Sequence, residues 1–246
     1  MASTQDYYLL IDTSTDVCSV ALASEQAVIA QEIEKGGNRH SALIGDFVSK
    51  VLKAMPAEGN LKAVVLAEGP GSYTGLRIAA AFAKAFCMIR QIPLIAVPTP
   101  EVMVYRYLAL HPDKAMEDVL LMPMIDARRM EVYTALYDCH GEKLSDIKAL
   151  IIEEAGLATI APQMQDKTLL YFGDGAAKGQ EIMSRLFPKS HYVDGIIPEA
   201  QALLKPMLLR LAKGETCDIA YWTPFYLKEY EAKMSVNKVL GNHRTE

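Results

Sequence analysis

The sequence predicts an α/β protein built from two similar lobes, each with a mixed β-sheet and flanking helices. The first observation is an internal repeat. Residues 10–22 (LIDTSTDVCSVAL) align without gaps on residues 124–136 (MIDARRMEVYTAL), which places Asp12 on Asp126. The second observation is a glycine loop that recurs later in each half. Its matched pairs are Gly69 with Gly173, Gly71 with Gly175 and Gly75 with Gly179.

The repeat also sets the predicted domain boundaries, because each half has the same order of elements. We expect an N-terminal lobe at 1–100 and a C-terminal lobe at 101–225, which face each other across a cleft. A tail at 226–246 either returns to the first lobe or is partly disordered. The 246 residues are enough for two small domains with buried cores.

Composition restricts the class of protein. The net charge of −5 argues against a broad electrostatic grip on nucleic acid by this chain alone. The four cysteines are scattered, and the apolar surroundings of Cys18 and Cys87 predict buried thiols in a reducing cytosol. The first residues lack a secretion signal, and the sequence has no apolar run of about 20 residues. A cytoplasmic location without membrane contact is therefore expected.

The first half opens with three predicted strands. An apolar run at 8–11 is followed by alternating apolar positions at 18–22 and 28–33, which is typical of an antiparallel arrangement. Apolar residues then recur at helical spacing over 43–55 and stop before Pro56, which predicts an amphipathic helix.

The centre of the first half is a strand at 64–66, the loop GPGSYTG and a helix from Leu76 to Ile89. A glycine turn that opens a helix leaves free amide donors at a positive dipole end, which suits an anion. The alternative is a tight turn without a ligand, since the spacing fits neither the dinucleotide fingerprint nor a Walker loop. Lys84 lies too far along the helix to serve as the lysine of a Walker loop.

The rest of the chain continues the same alternation of strands and helices. The predicted strands are 93–97, 119–125, 132–136, 147–152, 169–172 and 192–193, and the predicted helices are 99–108, 153–160, 178–186 and 199–213. Thr99 is expected to cap its helix, with Pro100 at the first position. Pro206 should kink or divide the last helix.

The turn Asp12-Thr13-Ser14-Thr15 follows the first strand directly. A carboxylate followed by short hydroxyl groups can hold a phosphate or a metal-bound water. The same residues also form turns that satisfy their own backbone donors, which is the commoner arrangement.

Duplicated lobes with an aspartate turn and glycine loops facing a cleft resemble the actin, sugar kinase and heat-shock ATPase (ASKHA) superfamily. More specifically, the chain resembles the bacterial TsaB (YeaZ) family over nearly its whole length. The segments that carry this resemblance are LLIDTSTDVCSVAL, HSALI, GPGSYTGLRIAAAFAKAF, DARRMEVYTALY and PFYLK.

The resemblance implies a role in making threonylcarbamoyladenosine next to the anticodon of tRNA. In that system TsaD carries the active site, TsaE supplies an ATPase and TsaC makes the activated intermediate. This chain would then be a non-catalytic scaffolding partner that forms a heterodimer with TsaD, and a homodimer when alone. TsaE would be a further partner, and tRNA would be contacted only indirectly through the complex.

A non-catalytic role is also indicated by the stretch that matches the metal-binding helix of TsaD. Thr99 and Met103 occupy the two histidine positions of that helix, and neither is a good ligand for a divalent ion. The glutamate between them is kept as Glu101, where helix capping explains it. We expect no metal and no cofactor in this chain, with ATP or ADP at the interface of the complex.

The resemblance assigns two further sets of residues. The vestigial nucleotide or phosphate loops comprise Asp12, Thr13, Ser14, Gly69, Gly71, Ser72, Gly75, Asp126, Gly173 and Gly175. The expected partner interface, on the helices 41–55 and 76–89, comprises Leu43, Ile44, Phe47, Val51, Leu76, Arg77, Ala79, Ala80, Ala83 and Phe86. The alternative for the second set is a purely intramolecular core. Arg77 could form an ion pair, contact a phosphate or be solvated.

Two enzymatic alternatives compete with the scaffold. An ATPase or kinase would use Asp12 or Asp126 with Mg²⁺ and ATP, which paired carboxylates and glycine loops permit. A metallopeptidase, suggested by the older name of the related family, fails because the histidines have no zinc-binding spacing. The histidines are His40, His111, His140, His191 and His243, and His40 is expected to be a helix cap or surface contact.

Overall fold

The structure of the protein is a computed structural model that describes residues 5–37, 39–112, 118–164 and 166–228. It contains two five-stranded sheets, one from each half of the chain. When the strands of each half are numbered in chain order, both sheets have the strand order 3-2-1-4-5. In each sheet the first three strands are antiparallel and the last two are parallel to the first. The predicted α/β fold of two similar lobes is thereby confirmed.

The first sheet is formed from alternating or fully apolar segments of the N-terminal half. Its strands are β1 (Asp6–Asp12), β2 (Cys18–Ala23), β3 (Val28–Glu34), β4 (Asn60–Gly69) and β5 (Leu94–Pro98). The two central strands, β1 and β4, are buried on both faces, which explains their continuous apolar runs. Helices α1 (His40–Leu52) and α2 (Tyr73–Arg90) pack on one face of this sheet.

The second sheet repeats this arrangement with shorter helices. Its strands are β6 (Val119–Asp126), β7 (Glu131–Thr134), β8 (Lys148–Ile151), β9 (Thr168–Phe172) and β10 (Ser190–Val193). Helices α4 (Glu154–Ala158) and α5 (Gln180–Leu186) cover one face. The other face packs on α3 (Thr99–Leu110), which lies between the lobes.

The gapless internal alignment holds for the aspartates but not for the strands that follow them. Asp12 ends β1 and pairs with Ser19, whereas Asp126 ends β6 and pairs with Val132. The second hairpin is therefore one residue shorter. Side chains alternate between the two faces of a sheet. This shift of one residue therefore places each side chain of the return strand on the opposite face from its aligned counterpart in the first lobe.

The predicted cap of α3 is wrong. Thr99 is the first residue of the helix, and Pro98 occupies the N-cap position without a side-chain hydrogen bond. The Thr99 hydroxyl is buried and has no hydrogen-bond partner among the described residues. The predicted break at Pro206 is confirmed, because a 3₁₀ turn at Ala200–Leu203 gives way to α6 (Leu204–Lys213) just before this proline.

Packing corrects the predicted second lobe, 101–225, at its C-terminal end. The 3₁₀ turn and α6 lie on the first sheet, where Leu203 and Met207 are fully buried against β1, β2, β4 and β5. The backbone of Cys217 then forms an isolated antiparallel β-bridge with Leu94 on the edge of that sheet. The C-terminal segment thus completes the first lobe, because without it the second face of the first sheet would lack its cover.

Two further sequence predictions concern single residues and long helices. Cys18 and Cys87 are buried thiols, as predicted. Within the described residues, no helix combines the length and the hydrophobicity that crossing a membrane would require.

Candidate functional site: two aspartate turns and a helical face

The first aspartate turn is closed by its own backbone. Asp12 is fully buried, and its Oδ1 accepts hydrogen bonds from the Ser14 amide at 2.9 Å and the Ser14 hydroxyl at 2.7 Å. The Thr13 hydroxyl donates to the Gly75 carbonyl at 2.8 Å. Of the two readings of this turn, the geometry therefore favours the one in which it satisfies its own donors and those of the adjacent glycine loop.

The glycine loop lies directly against this turn. A Cβ atom at Gly71 would come within 2.1 Å of the Ser14 carbonyl oxygen, and one at Gly75 within 2.0 Å of the Thr13 carbonyl oxygen. The Ser72 amide donates to Ser14 O at 2.7 Å. Backbone of the aspartate turn therefore packs directly against the glycine loop and takes up its Ser72 amide.

The start of α2 is capped from within the same loop. The Ser72 side chain caps the helix by accepting a hydrogen bond from the Gly75 amide at 3.3 Å. This bond uses one of the free amides that could otherwise bind an anion. Lys84 lies well along α2 and donates to the Trp222 carbonyl at 2.9 Å, which agrees with the prediction that it does not act as a loop lysine.

Burial changes the acidity of Asp12. Removal from water raises its pKa to about 6, and the two Ser14 hydrogen bonds oppose that rise only in part. The second oxygen, Oδ2, is buried and has no hydrogen-bond partner among the described residues. A fully buried carboxylate is poorly suited to hold Mg²⁺, because that ion usually keeps several of its waters.

Three contacts that sequence reasoning missed hold the first turn in place. His40 is buried at the start of α1 and its Nε2 lies 2.8 Å from the Thr15 carbonyl oxygen, so the expectation of a cap or a surface contact was wrong. The Ser19 hydroxyl accepts from the Ala200 amide at 2.8 Å. Glu199 is almost fully buried and pairs with Arg106 of α3 at 3.0 Å. No sequence pattern links these residues, and the contacts of Ala200 and Glu199 form only after the C-terminal segment returns.

The second aspartate turn is open. Asp126 is exposed and forms an ion pair with Lys178, which also donates to the Glu131 carbonyl at 2.6 Å. The Asp126 amide donates to Asp174 Oδ1 at 3.2 Å. Burial raises the pKa of Asp174 to about 6, and the negative charge of Asp126 adds to that rise. Asp126 was among the predicted site residues, whereas Lys178, which neutralises it, was not.

The second glycine loop has a different role from the first. Gly173 adopts a φ of +115°, which an L side chain rarely adopts, and a Cβ there would also meet the Met124 carbonyl. Gly175 lies against the backbone of Asp126 and the side chain of Val132. Both glycines allow the loop to approach the end of β6.

The two residues at the expected metal positions belong to the core. Met103 is fully buried in the cluster between α3 and the second sheet, and its methyl group would be the first atom met by a Cβ at Gly173. Thr99 is also fully buried. Glu101 is engaged with Arg210 of α6 through two hydrogen bonds of 2.8 Å, which corrects its interpretation as a helix cap.

Most residues of the expected partner interface are buried within the chain. Those buried against the first sheet are Ile44, Phe47, Val51, Leu76, Ala79, Ala80 and Ala83. Leu43 and Phe86 are half-buried, and Arg77 is exposed beside Tyr73, whose hydroxyl accepts from it at 2.9 Å. For the buried residues, this packing favours the alternative interpretation of an intramolecular core, and the partner interface itself stays a prediction.

The outward face of the same two helices consists of other residues. On α1 the side opposite the sheet presents Ala42, Gly45 and Ser49, and on α2 it presents Thr74, Ala81, Ala85 and Met88. We call these seven residues the helical face. Met88 is 69 % exposed, and neighbouring Ile89 is 81 % exposed. Most of these side chains are small, so another helix can approach them closely, and the charged Asp46, Lys50 and Arg77 are exposed on the same two helices.

A C-terminal strap, residues 217–228, crosses the glycine loop and connects the lobes. The Phe225 amide donates to the Glu68 carbonyl at 2.8 Å, and Phe225 O is the nearest atom to a Cβ placed on Gly69. The Tyr226 ring packs against the Tyr73 ring, with the centroids 4.5 Å apart and the planes tilted by 32°. Lys228 then forms an ion pair with Glu131 of the second lobe. The strap therefore covers the first glycine loop and links it to the second lobe.

Comparison with protein families places these features in context. The family model for TsaD, tRNA N6-adenosine threonylcarbamoyltransferase, matches residues 25–167, which is more than half of the chain. A Bacillus subtilis (strain 168) protein named tRNA threonylcarbamoyladenosine biosynthesis protein TsaB is 37 % identical over 92 % of this chain and 95 % of its own length. The Escherichia coli (strain K12) protein of the same name is 29 % identical over 89 % and 94 %.

The fold is shared with a solved structure described as YeaZ from Pseudomonas aeruginosa. That structure is 24 % identical, has a TM-score of 0.71 and covers 91 % of this chain and 100 % of its own. At this identity the likeness concerns the fold alone, and it extends over both lobes of the actin-like arrangement.

Proposed function

The chain belongs to the TsaB (YeaZ) family, within the wider group that the TsaD family model describes, and we propose that it is a scaffolding and activating subunit of the tRNA threonylcarbamoyladenosine-forming complex. In this role it forms a heterodimer with TsaD, which carries out the transfer, and it has no catalytic turnover of its own. The relatives' printed names supply the pathway. The observation that carries the scaffold role is the helical face.

The helical face supports docking because the two helices that form it are already satisfied on their other side. Phe47 and Leu76 bury their side chains in the first lobe, so the outward residues are not needed for its core. Burying Met88 and Ile89 under a partner would remove large apolar side chains from water, which favours association. Gly45, with no atom within 4 Å of the position of a Cβ, leaves room for a closely approaching helix.

The closed first turn supports the absence of turnover. Asp12 is the aspartate that a kinase-like mechanism would use, yet it is buried behind Ser14 and Thr13. In the second lobe Asp126 is held by Lys178. We therefore assign any ATP or ADP of the complex to the interface with TsaD, and TsaE to the assembled pair. In the absence of TsaD the same helical face would form a homodimer.

The test replaces a residue of the face without disturbing the fold. Gly45→Arg improves the helix propensity of α1 and meets open space, but it introduces a bulky charge into the contact. We expect affinity for TsaD to fall on the order of a hundredfold, because burying an unpaired charge costs several kcal/mol. The matched control is Leu144→Arg, at an exposed position of the second lobe.

Binding is measured by calorimetry, and modified adenosine is measured in tRNA from cells that carry each variant. Loss of both with Gly45→Arg and retention of both with Leu144→Arg would support the proposal. Full modification after depletion of the chain would refute it. ATP hydrolysis by the purified chain, abolished by Asp12→Asn, would favour the alternative of a nucleotide-hydrolysing or phosphotransfer enzyme.

A further inference from the structure

The tip of the β6–β7 hairpin carries two arginines in an unfavourable backbone conformation. Arg128 has a φ of +68° and Arg129 a φ of +50°, a region that favours glycine and asparagine. Both side chains are exposed. Two adjacent arginines in this region destabilise the turn, and such outliers are concentrated at functional positions.

Two of the three carboxylates beside this tip are paired with lysines, and the third, Asp174, accepts from the Asp126 amide. Asp126 pairs with Lys178, and Glu131 pairs with Lys228. Among the described residues, no carboxylate lies within ion-pair distance of Arg128 or Arg129. The two guanidinium charges are therefore not neutralised by an ion pair within the described part of the chain, although the chain as a whole carries a net charge of −5.

Two tyrosine rings lie between the cations of the second lobe and those of the first lobe. Lys228, which reaches Glu131 beside the tip, is two residues from Tyr226, and the Tyr226 ring packs at a tilt against Tyr73 of the first lobe. The guanidinium of Arg77 lies 4.2 Å from the centre of the Tyr73 ring. Burial raises the pKa of Tyr133, and the charges of Lys228 and Arg128 oppose that rise, so both cations lie near the same ring. We call this series from Arg128 to Arg77 the cationic strip.

We propose that Arg128 and Arg129 bind phosphate groups of RNA directly, with the rest of the cationic strip extending the contact toward unpaired bases. The inference rests on the proposed function, in which the chain acts on a tRNA substrate as part of the complex. It differs from the sequence-based expectation that tRNA is contacted only indirectly.

The chemistry of the strip favours RNA over an acidic protein surface. Guanidinium groups bind phosphates through two parallel hydrogen bonds, and tyrosine rings stack on unpaired bases. An acidic protein would need the charges but not the rings between them. Because the strip is narrow and the remaining charge is negative, it would add a few phosphate contacts to those of a partner rather than bind RNA tightly alone.

The test uses the variant Arg128→Asn/Arg129→Gly, which removes both charges and introduces residues that accept positive φ. Thermal unfolding should shift to a higher temperature, because the strain is relieved. The affinity of the full chain in complex with TsaD for an unmodified tRNA transcript should fall about tenfold at moderate salt. The slope of log K against log salt should decrease by about 2, one for each lost phosphate contact.

The matched control is Arg185→Gln/Lys189→Gln, which removes two exposed charges elsewhere on the second lobe. This variant should leave both the affinity and the slope unchanged. Arg128→Lys/Arg129→Lys, which keeps the charge but loses the bidentate geometry, should give an intermediate affinity.

Unchanged RNA affinity and slope in Arg128→Asn/Arg129→Gly would overturn the inference. If that variant instead lost TsaD and kept its RNA contact, the strip would be a protein-binding surface, and the inference would again be wrong. Either failure is distinct from failure of the proposed function, which is judged by modification after depletion of the chain.

Discussion

The two aspartate turns occupy equivalent places in their lobes but have opposite surroundings. In the first lobe, Asp12 is buried and the glycine loop is packed against the Thr13 and Ser14 backbone. In the second, Asp126 is exposed and held by Lys178, and the hairpin tip presents two arginines. The same topology therefore buries its aspartate turn in the first lobe and exposes it to solvent in the second.

The helices differ in a parallel way. Helices α1 and α2 span 13 and 18 residues, whereas α4 and α5 span 5 and 7. Only the longer pair is broad enough to cover its sheet and still present a flat outward face. Under the proposed function, this difference means that the first lobe docks through its helices and the second lobe makes contacts through its loops.

The largest expected effect tests whether the first turn is a packing device. Gly75→Ala places a methyl group 2.0 Å from the Thr13 carbonyl, so we expect the free energy of unfolding to fall by about 3 kcal/mol or more. Chemical denaturation measures this loss. Gly45→Ala is the control, since its Cβ meets nothing and a better helix former should add about 1 kcal/mol. A Gly75→Ala protein of wild-type stability would mean that the loop and the turn are not in contact.

The second prediction tests whether α6 is held against α3 by its ion pair. Arg210→Met leaves the half-buried Glu101 carboxylate without its partner, and we expect a loss of about 2 kcal/mol in the free energy of unfolding. Combining it with Glu101→Gln should recover part of that loss, which a double-mutant cycle in urea would measure. Additive losses would show that the two side chains do not interact.

The third prediction concerns the pH dependence of the buried aspartate. The folded-state pKa of Asp12, about 6, lies above the ordinary value, so the folded state holds its proton more tightly than the unfolded chain does. The resulting stability is fully present below pH ~4 and is lost as the pH rises through about 6. Relative to wild type, Asp12→Asn should therefore gain on the order of 2 kcal/mol between pH 4 and pH 7.

This shift is measured by denaturation of both proteins across that pH range. Asp126→Asn serves as the counterpart in the open turn and should lose no more than about 1 kcal/mol, as expected of an exposed ion pair. If the difference between Asp12→Asn and wild type were the same at both ends of the range, Asp12 would not be the buried acid that the structure describes.

Much of the fold could be predicted from the sequence because the signals were local. The run at 64–66 and the helical period after Leu76 depend on neighbouring residues alone, and both elements are found. The repeat of Asp12 and Asp126 predicted two sheets of one topology, which is confirmed. The one-residue difference between the hairpins escaped because a gapless alignment cannot show which residue of the return strand faces the core.

The site was less predictable, because its decisive contacts join distant residues. Ser19 meets Ala200 and Glu101 meets Arg210 only once the C-terminal segment has folded back. The burial of most predicted interface residues has a related reason. Apolar helical spacing marks the side that is buried, so it selected Leu76 and Ala83, whereas the outward side carries alanine, glycine and serine, which have little hydrophobic signal.

The return of α6 to the first sheet has a consequence for synthesis on the ribosome. Leu10 and Val65 face the surface that Leu203 and Met207 cover, and those residues are translated last among the four. The amino-terminal half therefore emerges with an apolar sheet surface still bare, and it must wait through more than a hundred further codons for its cover. During that interval the uncovered apolar face of the first sheet is the surface through which the nascent chain can aggregate.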